Sequence, residues 1–130
     1  MDNFRIAVLI PCFNEGDSIY QVVSSFKTHL PEADIYVYDN NSTDQTFDEA
    51  NRARAIVRNE YRQGKGRVVC RMFSDIEADV YVLIDGDGTY DASVAKKMIM
   101  TLRRMTPKRR RTKATKSAKL LTWRLHQMLQ

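Results

Sequence analysis

Apolar positions along this chain alternate between two rhythms, unbroken short runs and runs spaced at three to four residues. Ile6-Ala7-Val8-Leu9-Ile10 has no polar interruption, is stopped by Pro11, and reads as a strand buried on both faces. Beyond a loop from Cys12 to Gly16, the residues Ile19, Val22, Val23, Phe26 and Leu30 recur at helical spacing. Asp17 or Ser18 is placed to cap that helix and Pro31 to close it. Ile35 to Tyr38, β-branched and aromatic throughout, predicts a second strand whose tyrosines serve packing. Ser42 followed by Gln45 has capping-box spacing, so a helix is expected from there to about Arg54, with Ala55-Ile56-Val57 as a short third strand. Gln63-Gly64-Lys65-Gly66 then opens a helix that puts Val69, Met72, Phe73 and Ile76 on one face. Val80-Tyr81-Val82-Leu83-Ile84 is the fourth strand, and Val94, Met98, Ile99 and Leu102 mark a helix after it.

Strands that each precede a helix-length gap give a βαβαβαβα order. The fold class is therefore α/β, a parallel sheet with helices on both sides. In such sheets ligands bind outside the carboxyl ends of the strands, where the winding reverses. Each strand here ends in a polar loop: Asn14 and Glu15 after the first, Asp39-Asn40-Asn41-Ser42 after the second, Asp85 and Asp87 after the fourth. Asp85 and Asp87 point the same way if the chain stays extended, and Gly86 between them admits another backbone or a ligand. Paired carboxylates repel unless a cation joins them, and hard ions such as Mg²⁺ or Mn²⁺ take such oxygens and complete their shell with phosphates. A solvated acidic turn uses the same residues. Asn14 and Ser42 are likewise ordinary caps, and Lys65 is a solvated lysine that also favours an anion at a helix start.

Charge divides the chain. Residues 1–102 hold 11 Lys/Arg against 16 Asp/Glu, giving −5, while residues 103–130 hold 10 Lys/Arg and no acid, giving +10. The pI of about 9.4 thus describes the tail and not the domain. Two cysteines, Cys12 and Cys70, are too few for a disulfide framework, so a reducing compartment is expected. The sequence shows neither a secretory signal nor a spanning segment.

Four motifs carry a resemblance. Val8-Leu9-Ile10-Pro11-Cys12-Phe13-Asn14-Glu15, Val37-Tyr38-Asp39-Asn40-Asn41-Ser42-Thr43-Asp44, Gln63-Gly64-Lys65-Gly66 and Asp85-Gly86-Asp87 resemble, in order, the signatures of the family 2 glycosyltransferases with the GT-A nucleotide-sugar fold. The likeness covers about residues 4 to 102. It implies a Rossmann-like, mostly parallel sheet of truncated GT-A type followed by a basic C-terminal tail. It implies metal-dependent transfer, with inversion, from a nucleotide-diphosphate sugar to the hydroxyl of an acceptor that is lipid-linked, glycan or protein. By that resemblance Pro11, Asn14 and Glu15 surround base and ribose, Asp39 reads the base edge, Lys65 stands near the phosphates, and the Asp85–Asp87 pair faces ribose and metal, with Asp87 ligating Mg or Mn. Many members carry two acids where this chain has Asp39-Asn40, so ring recognition is expected to differ.

The family's carboxylate base is expected in a later loop, beyond the DxD turn, and no such loop is present here. After Leu102 the pattern departs, and Pro107 breaks the preceding helix. We divide the chain into a nucleotide-sugar-binding domain at 1–104 and a basic tail at 105–130, disordered to about Ser117 with a short amphipathic helix after it. Three readings of the tail stand: a frame-shifted or truncated end, a nucleic-acid or anionic-membrane arm, and a docking segment. The expected protein is a truncated donor-binding fragment, cytoplasmic, with peripheral attachment to the membrane's cytoplasmic face left open. Nucleic acid is not the expected partner on this reading. The alternative is a non-enzymatic binding module whose tail contacts nucleic acid or anionic membrane. A nucleotidyltransferase is disfavoured, since the first loop lacks a glycine-rich phosphate-binding run.

Overall fold

A computed structural model describes residues 4–105, so every expectation for the tail beyond Met105 lies outside the described residues. The elements alternate as the hydrophobic pattern predicts: β1 (Ile6–Cys12), α1 (Ile19–His29), β2 (Asp34–Asp39), α2 (Thr46–Arg52), β3 (Ile56–Asn59), α3 (Lys65–Asp75), β4 (Val80–Leu83) and α4 (Ala92–Met105). The strands form one parallel sheet in the order β3-β2-β1-β4. The winding reverses between β1 and β4, which opens a crevice beyond their carboxyl ends.

Strand alternation sorts the core into two layers. Ile6, Val8, Ile10 and Cys12 of β1, with Val80 and Val82 of β4, face α1, α2 and α4 and meet Val23, Phe26, Ala50, Ala95 and Ile99. Ala7, Leu9, Tyr38 and Tyr81 face the other way and are covered by α3 through Val68 and Met72. Among the described residues helices thus lie on both faces, three on one and one on the other. The tyrosines pack as expected: Tyr81 donates to Ile76 O at 2.7 Å and stacks edge-on with Phe73, and Tyr38 donates to Asp75 at 2.8 Å.

Four local expectations are corrected. Pro11 does not end β1, which runs on to Cys12. Leu9 O accepts from Ile84 N on the β4 side and Cys12 O from Asn40 N on the β2 side, so by alternation Pro11 faces the β4 side, past the last paired residue. Its missing N–H therefore costs no ladder bond. Ser18 occupies the N-cap of α1 without capping it, because its hydroxyl donates to Gly86 O at 2.5 Å. The Ser42–Gln45 capping box does not form: α2 begins at Thr46, ends at Arg52, and the Ser42 hydroxyl bonds Asp39 instead. On α3 the fully buried partner of Met72 is Val68, not Val69, since four residues bring a side chain back under its neighbour.

Candidate functional site

The loops after β1, β2 and β4 and the start of α3 meet at the carboxyl rim. Between them lies a cavity of about 240 Å³ lined by Pro11, Cys12, Phe13, Glu15, Asn40, Gln63, Lys65, Val68 and Asp85. Ligand pockets commonly reach about 300–1,000 Å³, so this one suits part of a larger molecule with the remainder lying across the rim.

The β1–α1 loop is fastened to the β2–α2 loop by reciprocal contacts. Asn14, in the left-handed region at φ 52, donates its N–H to Ser42 Oγ at 2.8 Å and accepts at Oδ1 from Thr43 N at 2.8 Å. Asparagine tolerates that conformation better than most residues. Glu15 N donates to Thr46 Oγ1 at 2.9 Å and Gly16 N to Asp44 Oδ2 at 2.9 Å. Asp44 also binds Thr46 through its hydroxyl and amide, and these bonds hold its carboxyl below the ordinary range. Of the residues expected at the site, Asn14, Asp39 and Asp87 are not part of the cavity's lining. Asp39 is buried, 5% exposed, and accepts from Ser42.

Asp85 and Asp87 stand on the far side of the rim, where the chain turns after β4 and is no longer extended. Asp85 pairs with the Lys65 ammonium at the first turn of α3 and lies 3.3 Å from the Tyr90 hydroxyl. Asp87 turns its Oδ1 to Thr89 N at 3.0 Å and Thr89 Oγ1 at 2.7 Å, leaving Oδ2 for a ligand. Gly86 is where another chain segment approaches: a Cβ there would stand 2.6 Å from Cys12 Sγ and 3.3 Å from Ile19 Cδ1. The absence of a side chain thus lets the β4 turn close against β1 and α1.

Negative charge accumulates across this junction. Burial raises the Glu15 carboxyl pKa, and Asp87, Asp85 and Asp44 add to the rise while Lys65 opposes it. Burial, reinforced by Glu15, Asp39 and Asp85, also pushes the Cys12 thiol up, so it stays protonated and forms an inert floor. An excess of carboxylate around one half-buried acid is the setting in which a cation is favoured. Among the described residues no three His, Cys, Asp or Glu side chains lie close enough to hold a metal by themselves. The donor set therefore fits a hard ion shared between one or two carboxylates and the oxygens of a bound ligand.

Sequence reasoning placed Asn40 and Asn41 in the rim loop but assigned neither a role of its own. Asn40 is 4% exposed, donates from Nδ2 to Glu60 O and Arg62 O, both at 2.8 Å, and accepts at Oδ1 from Gly64 N at 2.9 Å. Asn41, at φ 63, donates to Tyr61 O and Gln63 Oε1, both at 3.0 Å. Two consecutive amides after a buried strand are the only signal that could have pointed there.

The chain is similar to several known proteins. The Glycosyl transferase family 2 profile matches residues 7–113. Protein RfbJ of Shigella flexneri is 56% identical over 97 residues, 75% of each chain. Glycosyltransferase AglJ of Haloferax volcanii is 37% identical over 95 residues, 72% of this chain and 31% of AglJ. Glucosyl-3-phosphoglycerate synthase of Mycobacterium tuberculosis, solved with Mn²⁺, uridine diphosphate and phosphoglyceric acid, superposes with a TM-score of 0.69 at 25% identity, over 77% of this chain and 39% of the synthase. The same synthase with Mg²⁺ and uridine diphosphate gives a TM-score of 0.68, with 77% of this chain and 40% of that one covered. The chain spans three quarters of RfbJ but two fifths or less of AglJ and the synthase. A non-enzymatic binding module is not favoured by these relatives. No helix among the described residues is long and apolar enough to cross a membrane.

Proposed function

This chain belongs to Glycosyl transferase family 2, and from that membership we propose that its carboxyl rim binds a nucleotide-diphosphate sugar together with Mg²⁺ or Mn²⁺. The observation that carries this reading is the placement of Glu15, Asp85 and the Lys65 ammonium in the lining of one small cavity at the winding reversal, with Asp87 near enough to raise the Glu15 carboxyl pKa. The complexes of the mycobacterial synthase with uridine diphosphate and Mn²⁺ or Mg²⁺ support the ligand class.

Each residue then has a part that its placement suits. Pro11 and Phe13 supply an apolar wall for a base, and Glu15 accepts from sugar hydroxyls. Asp39, whose Oδ1 is held by the Ser42 hydroxyl and amide, would meet a base edge through its other oxygen. Lys65 leaves Asp85 for the phosphates, a point charge at a helix start. Asp87, with Asp85 beside it, would hold the divalent ion, which when bound offsets charge on the leaving diphosphate. Asn14 keeps the Glu15 loop in place through Ser42 and Thr43.

Transfer to an acceptor hydroxyl, with inversion, requires a base on the acceptor side, and none of residues 4–105 is assigned that part. We take residues 1–104 as the donor-binding domain and the acceptor as lipid-linked, glycan or protein, with peripheral membrane attachment left to the basic tail. Calorimetry tests the reading directly. Uridine diphosphate is expected to bind with Mn²⁺ present, and Asp87→Ala to remove that heat. Equal heats with and without chelator overturn it.

A further inference from the structure

We propose that Asn40 is a positioning residue for the nucleotide site, a clamp whose carboxamide holds the β3–α3 loop so that Lys65 faces the diphosphate; this rests on the reading of the rim as a nucleotide-sugar site. The argument begins with hydrogen-bond inventory. A neutral amide offers two donors on nitrogen and an acceptor on oxygen. Here both donors are spent on carbonyls, Glu60 O and Arg62 O at 2.8 Å, and the acceptor on Gly64 N at 2.9 Å. Its backbone N–H is also used, donating to Cys12 O at 2.9 Å. The chemistry fixes the amide's orientation, because a flipped group would set oxygen against two carbonyls and nitrogen against an N–H.

Those three partners span the loop that leads into α3. Gly64 is the N-cap of α3 at φ 126, a conformation that glycine adopts without strain, and Lys65 follows it at once. Gly64 has no side chain with which to cap α3, and its own N–H donates to Asn40 Oδ1, which fixes the point from which the helix departs. The Lys65 side chain is 62% exposed and is directed across the cavity by its ion pair with Asp85 and by the backbone position from which it starts. Asn40 thus acts through Lys65 and not by touching a ligand with a free polar atom.

An acid would not serve in this place. A carboxylate at this place would turn an oxygen toward two carbonyl oxygens and leave them without donors, a buried penalty. Asn41 repeats the device on the outer side by holding Tyr61 O and Gln63 Oε1.

The test compares wild type, Asn40→Ala, Lys65→Ala and the double variant, titrated with uridine diphosphate and with uridine, each with Mn²⁺. Asn40→Ala is expected to weaken uridine diphosphate roughly tenfold and uridine far less, since the loss runs through a phosphate contact. The double variant is expected to bind no more weakly than Lys65→Ala alone. Losses that add, or that fall equally on uridine, overturn the proposal. Amide hydrogen exchange in the wild type gives a second reading that needs no variant to fold: Gly64 N–H is expected to be protected, and exchange as fast as an open loop overturns the clamp. A wild type that binds no uridine diphosphate but protects Gly64 rejects the proposed function while leaving the clamp standing.

Discussion

Asp44 shows how much of this site is built from single side chains that serve the scaffold. Its two oxygens accept from Thr46 and from Gly16 N, tying the start of α2 to the Glu15 loop. Because these bonds favour the ionised form, the carboxyl is held below its ordinary value of about 3.9. The folded state then binds fewer protons than the unfolded chain, so the stabilisation is present above the unfolded value and lost as pH falls through the folded one. Asp44→Asn is expected to lower stability at pH 7 by no more than about 1 kcal/mol, the site being exposed to solvent. It should also flatten the acid side of the curve, as urea titrations from pH 6 downward would read. An unchanged acid limb would mean that the bonds to Thr46 and Gly16 do not bias the proton. The sequence showed Asp44 only as part of a motif, because its partners on another loop are set by the fold.

Among the elements, α3 carries a disproportionate share. Among the described helices it alone covers the second face of the sheet, and its hold rests on Val68 and Met72, 1% and 0% exposed, packed on Leu9, Tyr38 and Tyr81. Its first residue is Lys65, so packing at the middle of the helix sets where that ammonium lies. Met72→Ala is expected to cost about 3 kcal/mol in urea unfolding, within the range for a buried methionine that leaves a cavity. Nucleotide affinity should fall in the same variant. A stability loss with affinity unchanged would show that the helix's depth does not govern Lys65. The amphipathic period made α3 legible in the sequence, but it did not distinguish Val68 from Val69, which differ by one step of about 100° around the helix.

On the scale of the whole molecule, the order β3-β2-β1-β4 decides which loops can meet. With β4 added on the far side of β1, the Glu15 loop and the Asp85–Asp87 turn flank one crevice, and Gly86 allows them to touch. Two acidic loops forced together oppose folding, and a cation bound between them, as proposed, would relieve them. Uridine diphosphate with Mn²⁺ is therefore expected to raise the melting temperature, with about 2.7 kcal/mol of stabilisation at a hundredfold excess over Kd. Differential scanning fluorimetry reads the shift, and its persistence in chelator would remove the metal from the account.

The sequence alone determined the alternation of buried strands and amphipathic helices, the parallel sheet that follows from it, and the rim on which the polar loops fall. Those features depend on neighbours a few residues apart, where steric and hydrophobic periods are set locally. It also carried the family signatures, and with them Glu15, Lys65, Asp85 and Asp87 as the residues proposed for the site. Only the tertiary structure decided that Pro11 continues β1, that Ser18 and Ser42 bond across loops rather than cap helices, and that Asn40 clamps the approach to α3. Each of these hydroxyls and amides has several partners of similar strength, and which one it takes depends on which distant backbone the packed sheet brings within 3 Å.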